Sequence, residues 1–533
     1  MPKEIKDENT DNMDMDSSDN NQKETKSDLE TEVAVKNHSK VITLAVVAAI
    51  VIVLAVLFYF ILWPVLFSQE DAQVKYKKPP LNEDASQLPL KPKPPLDDGY
   101  LSPFGALGAE VMYSAMRETG IPPSFVEGAQ MGLKWNRGSL GSFEGLKDID
   151  YDFEKTDKVL LSSISAGIPN YVYNIFTNNR GYEQWSPPDK LVDDYIEWVK
   201  YGVERYDGDG YNDMPGLIYP VKYWQIDNEP DLEADTVGDG YSYAHLLKIT
   251  YQAIKEADPE AKVLSGGIGI DNSFINISQR SAKFFEDIMD TYKPERYFDI
   301  FDLHYYGNAR GDYRIYEDRV KIIRNLLDSR GWQDVPIWTT EMGSYSGQPK
   351  DWDYQSEVQQ AGDYVKRWVH GISVKVPVIF GAWWLREGFS IIPGDDYFDH
   401  TGLIFDGEDG DGNTDPYDRG MNVKKIGYYS FQVMAEKLEG LRYQEMKVLK
   451  DNVYAYRFLN LSTNKSTYVV WWDGYKEGTS ITSTLSGING DRVKITDAIT
   501  DFSGNREVTY GELNNGQISL NLKAYHPLFI EEQ

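Results

Sequence analysis

The chain has 533 residues, no cysteine and a net charge of −30, from 84 acidic against 54 basic side chains. Disulfides and thiolate metal sites are therefore excluded, and nucleic acid is a poor partner because like charge repels. The length favours two or more domains, and an aromatic content of 13%, with 37 Tyr and 13 Trp, suits packed cores or flat apolar ligands such as sugar rings.

Residues 1–40 mix Asp, Glu, Asn, Ser and Lys with almost no large apolar groups, so they read as a disordered acidic tail. From Val41 to Trp63 the run VITLAVVAAIVIVLAVLFYFILW carries no charge. At about 1.5 Å per residue it spans a hydrocarbon core of roughly 30 Å. This predicts a transmembrane helix within residues 41–67 that contacts the lipid bilayer. A cleaved signal peptide fits poorly, because the run is too long and no small-residue cleavage site follows. Tyr59 and Trp63 suit the far interface, and Lys36 and Lys40 put the N-terminus in the cytoplasm and the bulk of the chain outside. The expected product is a single-pass membrane protein. Residues 68–98 are Pro-rich and charged and predict an extended, semi-stiff linker.

Between residues 99 and 440, short apolar runs alternate with amphipathic segments of helical spacing. The predicted strands are 105–110, 131–138, 169–176, 221–226, 261–268, 298–306, 335–340 and 376–384. The predicted helices are 190–206, 241–257, 281–292, 319–331 and 361–372. Repeated strand–helix alternation predicts a (β/α)8 TIM barrel of the α/β class, whose chemistry belongs on the loops after the strands. Residues 441–533 change to short alternating segments with Gly and Asn turns, as in VYAYRFLNL, STYVVWWDG and ISLNLKAYHPLFIEE, and predict an all-β sandwich domain.

Two carboxylates end strand-like runs: Glu229 in WQIDNEPD and Glu341 in PIWTTEMG. With them, the barrel region resembles clan A, the retaining β-glycoside hydrolases built on the TIM barrel. In that clan an Asn-Glu pair closes strand four, which maps onto Asn228 and Glu229. A second Glu closes strand seven and maps onto Glu341. A His-x-Tyr on strand six maps onto His304 and Tyr306, an Arg on strand two onto Arg137 in KWNR, and a strand-eight Trp onto Trp383 or Trp384. The resemblance implies Glu229 as acid/base and Glu341 as nucleophile, with Asn228 donating to the sugar 2-OH. Arg137 and Tyr306 would hold Glu341 charged if they reach it, and His304 and the strand-eight Trp would shape the sugar subsite. A retaining enzyme needs these two carboxyls about 5–5.5 Å apart, one protonated and one ionised.

The implied substrate is a β-linked glucan, xylan or mannan-type glycan, with no cofactor required for catalysis. A catalytically silent surface glycan-binding protein and a transglycosylase using the same carboxylate pair are the alternative functions. Trp185, Trp352 and Tyr345 are candidate sugar platforms. Two acidic loops have oxygen ligands at alternate residues, as Ca²⁺ prefers: Asp409, Asp411, Asn413 and Asp415 in DGDGNTD, and Asp207, Asp209 and Asp213 in DGDGYND. Neither completes a twelve-residue calcium loop with its distal Glu.

Overall fold

Strands rich in β-branched and aromatic residues, each followed by a helix with one apolar face, bury both faces of a parallel sheet. The computed structural model describes residues 99–107, 124–143, 153–177, 185–232, 239–269, 279–381, 385–387, 397–407 and 417–533. The expected tail, membrane segment and linker lie outside the described residues, as do Trp383, Trp384 and the acidic loop 409–415. Among the described residues no helix is long and apolar enough to cross a membrane.

Nine parallel segments form one sheet: β1 (Phe104–Leu107), β2 (Trp135–Phe143), β3 (Asn170–Thr177), β4 (Tyr223–Ile226), β5 (Lys262–Leu264), β6 (Ile268–Gly269), β7 (Phe301–Tyr306), β8 (Ile337–Gly343) and β9 (Ile379–Gly381). Their order is β5-β4-β3-β2-β1-β9-β8-β7-β6. The two ends of that order meet. Leu264 at the end of β5 bridges Ile300 just before β7, and the Ser265 amide donates to the Ile300 carbonyl at 3.1 Å. Gly267, just before β6, bridges Asn228 just after β4. Thus β5 and β6 are two halves of one strand position interrupted at residues 265–267, and the sheet curls into a TIM-barrel-like α/β fold.

The lower half of the barrel is filled by aromatic side chains. Trp135 meets Trp338 edge-on at 5.3 Å, and Trp338 stacks on Tyr223 at 5.0 Å. Val172, Leu264, Ile300, Val378 and Phe380 complete this inner cluster. Because these residues sit at or near the N-terminal ends of their strands, polar inward-facing groups are left to the C-terminal ends.

Among the described residues the α-helices are α1 (Phe125–Met131), α2 (Glu154–Ala166), α3 (Val192–Glu204), α4 (Gly240–Ala257), α5 (Gln279–Asp290), α6 (Asp312–Asp328), α7 (Glu357–Ser373) and α8 (Ile426–Leu438). Five match the expected helices, whereas α1, α2 and α8 do not appear in the sequence reading. Strand two also begins later than expected, at Trp135, because Met131 ends α1 and Gly132 caps it in the left-handed conformation.

Beyond Gly440 lie β10 (Arg442–Lys450), β11 (Val453–Asn460), β12 (Lys465–Trp472), β13 (Ser480–Ser486), β14 (Arg492–Thr500), β15 (Arg506–Glu512), β16 (Gln517–Lys523) and β17 (Leu528–Glu532). Six form one sheet in the order β10-β11-β12-β17-β14-β15, and β13 pairs with β16 in a second. Both sheets feed one apolar core containing Val453, Tyr468, Leu485, Leu520 and Ile530. The run ISLNLKAYHPLFIEE thus divides into two strands on different sheets.

This β domain is fastened to the barrel by a buried carboxylate. Asp473, just after β12, accepts from Tyr313 Oη at 2.7 Å, Lys366 Nζ at 3.1 Å and Arg314 Nε at 3.2 Å. Lys366 and Asp473 are 1% and 4% exposed at their side chains, so removing one partner strands a charge in a dry interface. We expect Asp473→Ala to cost about 3–5 kcal/mol, read as a fall in the midpoint of urea unfolding, with barrel and β domain still unfolding together.

Candidate active site

Four strand ends bring the site together. β4 ends at Ile226, and the chain then turns through Asp227 (φ +61°) and Glu229 (φ +47°), a left-handed conformation that costs energy for residues other than glycine. The turn is held by the Asp227 amide donating to the Ile175 carbonyl at 2.9 Å and the Asn228 amide donating to Asp227 Oδ1 at 2.7 Å.

β8 supplies Glu341 through a bulge. Asp302 pairs with Trp338 and His304 with Glu341, so two steps along β7 match three along β8. The extra residue breaks the strict in–out alternation of a strand. It lets the adjacent Thr340 and Glu341 both reach inward-facing groups: Thr340 Oγ1 bonds Asp302, and Glu341 meets Arg137.

Arg137 on β2 donates from Nη1 to Glu341 Oε1 at 2.7 Å, from Nη2 to Asn228 Oδ1 at 2.6 Å, and from Nε to Gln225 Oε1. Tyr306 Oη donates to Glu341 Oε2 at 2.7 Å. His304 Nδ1 lies 2.8 Å from Glu229 Oε1 and 3.3 Å from Glu341 Oε2, and its Nε2 lies 2.9 Å from Thr340 Oγ1. A carboxylate oxygen of Glu229, one of Glu341 and a ring nitrogen of His304 lie within 4.8 Å of one another. Glu341 is 1% exposed, while the Glu229 side chain is 18% exposed and is the more open of the pair.

Burial opposes charge on His304, but the carboxylates of Glu341, Asp302 and Glu229 outweigh it and push the imidazole up to about 10. Burial raises the Glu341 carboxyl, against the pull of His304, Arg137 and the Tyr306 hydroxyl. Asp231, two residues past Glu229, is pushed up to about 7 by burial and by the charge of Glu229, and it accepts the Gly269 amide at 3.1 Å.

The structure therefore brings Glu229, Glu341, Asn228, Arg137, His304 and Tyr306 into one hydrogen-bonded cluster, with Arg137 reaching up from the first half of β2. Trp383 and Trp384 lie outside the described residues. Trp185 and Tyr345 are buried and are core residues rather than platforms. Trp352 is partly exposed and packs on Tyr397 at 4.8 Å, beside the Tyr306 ring.

Three further residues complete the cluster and were not singled out in the sequence. Asp302 Oδ2 accepts from Gln225 Nε2 at 2.6 Å and Thr340 Oγ1 at 2.5 Å, while its Oδ1 accepts the Leu303 and Thr340 amides, each at 2.9 Å. The available signal was a charged residue in the apolar run FDIFDLHYY, two positions before His304 and hence on the same strand face.

The second acidic loop does converge, with one carboxylate oxygen each from Asp207, Asp209 and Asp213 within 4.8 Å of the others. The Gly208 and Gly210 amides donate to Asp213, and the Asp209 amide donates to Asp207. Burial pushes Asp207 up to about 8. The first loop lies outside the described residues.

No family model matches the chain, and no curated protein matches it either. Its fold is nevertheless similar to solved clan A glycoside hydrolases. A glucosidase from Croceicoccus marinus superposes with a TM-score of 0.56 at 14% identity, covering 81% of this chain and 95% of that one. A GH51 α-L-arabinofuranosidase from Thermotoga petrophila gives 0.53 at 14% identity, covering 83% and 99%. A GH30 endoxylanase from Clostridium papyrosolvens gives 0.52 at 12% identity, covering 81% and 97%. At these identities the likeness is one of fold.

Two outcomes follow from the geometry. A Cβ on Gly267 would sit 1.8 Å from His304 Nε2, so Gly267→Ala must displace the imidazole. We expect a loss of about 1–3 kcal/mol in thermal unfolding, with greater loss of any activity. The His304 value in the folded chain lies above the ordinary one, near 6.5 in an unfolded chain. Its protonation therefore stabilises the fold fully below about pH 6.5 and ceases to do so as pH rises through about 10. Urea unfolding between those limits should show stability falling in the native chain and a flatter profile in His304→Gln.

Proposed function

We propose that this chain is a retaining glycoside hydrolase that cleaves β-glycosidic bonds of poly- or oligosaccharides by double displacement. The observation that carries the reading is the approach of the Glu229 and Glu341 carboxylates to within 4.8 Å. Retaining enzymes hold their carboxyls about 5–5.5 Å apart, whereas inverting ones need roughly 6.5–9.5 Å to seat a water between.

In the first step Glu341 attacks the anomeric carbon, and the bond to the leaving oxygen breaks with its electron pair. That oxygen takes the proton of Glu229. In the second step Glu229 removes a proton from water, whose oxygen bonds the anomeric carbon and returns the ester electron pair to Glu341. Both Glu341 oxygens accept hydrogen bonds, from Arg137 and from Tyr306, donors that favour the charged form and suit the attacking role. Glu229 is the more exposed partner, as an acid that must meet leaving group and water requires. Because Asn228 uses its Oδ1 on Arg137, its amide NH₂ is left to donate to the sugar 2-OH.

The substrate class is β-linked glucan, xylan or mannan-type glycan, consistent with the xylanase and glucosidase among the fold's neighbours. Anchored through residues 41–67 with its N-terminus in the cytoplasm, the chain would act on glycan outside the cell.

The test is hydrolysis of aryl β-glycosides and of β-glucan, xylan and mannan chains by the full-length protein beside two variants. Glu341→Ala should be inactive. Glu229→Ala should lose roughly 10²–10⁴-fold in kcat/KM on glycan and regain turnover with azide, giving a β-glycosyl azide. An α-configured first product, or no cleavage across the panel, would remove the proposal.

A further inference from the structure

His304 is boxed in on both sides of its ring. On one side Thr340 Oγ1 lies 2.9 Å from Nε2 and 2.5 Å from Asp302 Oδ2. Asp302 accepts from two amides, an amide NH₂ and this hydroxyl. Such a set satisfies a carboxylate, which has only acceptors to offer. The single hydroxyl proton of Thr340 is therefore committed to Asp302, and Oγ1 can only accept from the ring. Nε2 must carry hydrogen.

On the other side Nδ1 faces Glu229 Oε1 at 2.8 Å and Glu341 Oε2 at 3.3 Å. A bare ring nitrogen would point its lone pair at the oxygens of Glu341, which is held as an anion by Arg137 and Tyr306. Hydrogen on Nδ1 turns that repulsion into attraction. The charged groups facing the ring are thus Glu229 and Asp231 from the turn after β4, Asp302 from β7 and Glu341 from β8, with Arg137 of β2 behind Glu341. Glu341 on one side of the ring and Asp302 on the other favour positive charge on it.

We propose that His304 is a standing imidazolium, and that Asp302 and Thr340 are the positioning residues that keep it one. The cations Arg137 and His304 then stand beside the anions Glu341 and Asp302. The imidazolium also occupies Glu229 Oε1, so the proton for the leaving group is carried on Oε2. That consequence rests on the hydrolase reading above; the protonation of His304 does not.

The test is ¹⁵N spectroscopy of the full-length chain labelled at histidine, with the His304 ring signals assigned by their loss in His304→Gln. Both ring nitrogens should stay protonated from neutral pH to about pH 9, far beyond an ordinary histidine. Asp302→Asn and Thr340→Val should each weaken proton binding by about tenfold or more, one pH unit of midpoint, and Thr340→Ser should restore it. The alkaline limb of the kcat/KM profile should move with the midpoint. Thr340→Val, which keeps the volume of the side chain, serves where Asp302→Asn fails to fold. A singly protonated ring at about pH 7.5, or a midpoint unmoved in both variants, would overturn the proposal. An intact imidazolium beside a silent substrate panel would uphold it while removing the hydrolase reading.

Discussion

The ion pair between Arg137 and Glu341 is the contact around which the upper half of the barrel is built. Both side chains are almost fully buried, at 4% and 1% exposure, and the effective penalty of taking such ions out of water is several kcal/mol each. Coulomb attraction offsets that penalty only when the remaining donors and acceptors are also satisfied. Arg137 accordingly reaches Gln225 and Asn228 besides Glu341, and Glu341 takes the Tyr306 hydroxyl as well. Each new polar group needs its own partner, so the requirement passes from Gln225 to Asp302, then to Thr340 and to His304. The chain of partners ends at Glu229, where solvent begins.

This explains the division of the barrel into two halves. The Trp135, Trp338 and Tyr223 rings exclude water from below and fix the floor on which the polar layer stands. Above them, Arg137, Gln225, Asp302, His304, Thr340 and Glu341 are hydrogen-bonded to one another and thus cannot rotate freely. That layer contains several departures from ideal backbone: the left-handed Asp227 and Glu229, the interruption at residues 265–267 and the bulge in β8. Such strain is tolerated because the surrounding hydrogen bonds over-determine it.

How much of this was legible in the sequence follows from what each residue depends on. The barrel's rhythm was readable because most strands and five helices carry their own periodicity. Glu229 and Glu341 stood out as charges ending apolar runs. α8 was not readable because it is buried nearly all round, including Tyr428, Phe431, Val433, Met434 and Leu438, and so lacks a polar stripe. β13, SITSTLS, is too polar to declare itself a strand, and only Ser483 and Leu485 are buried along it. The roles of Asp302 and Thr340 were hidden for another reason, although Asp302 is a charge within an apolar run. Their significance lies in a partner on the adjacent strand, and no local pattern encodes which residue will stand opposite. The bulge that sets that pairing leaves no mark in composition.

The bulge in β8 also bears on how such a protein can change over generations. Its extra residue sits between two regularly paired stretches of strand, Trp338 below and Glu341 above. Loss of the codon for residue 340 would restore simple alternation with Trp338 and Glu341 still on the inner face opposite Asp302 and His304. The two carboxylates would keep their places while the hydroxyl between Asp302 and His304 disappeared. A change in chain length at this point therefore touches the support of the polar layer and spares the groups it supports.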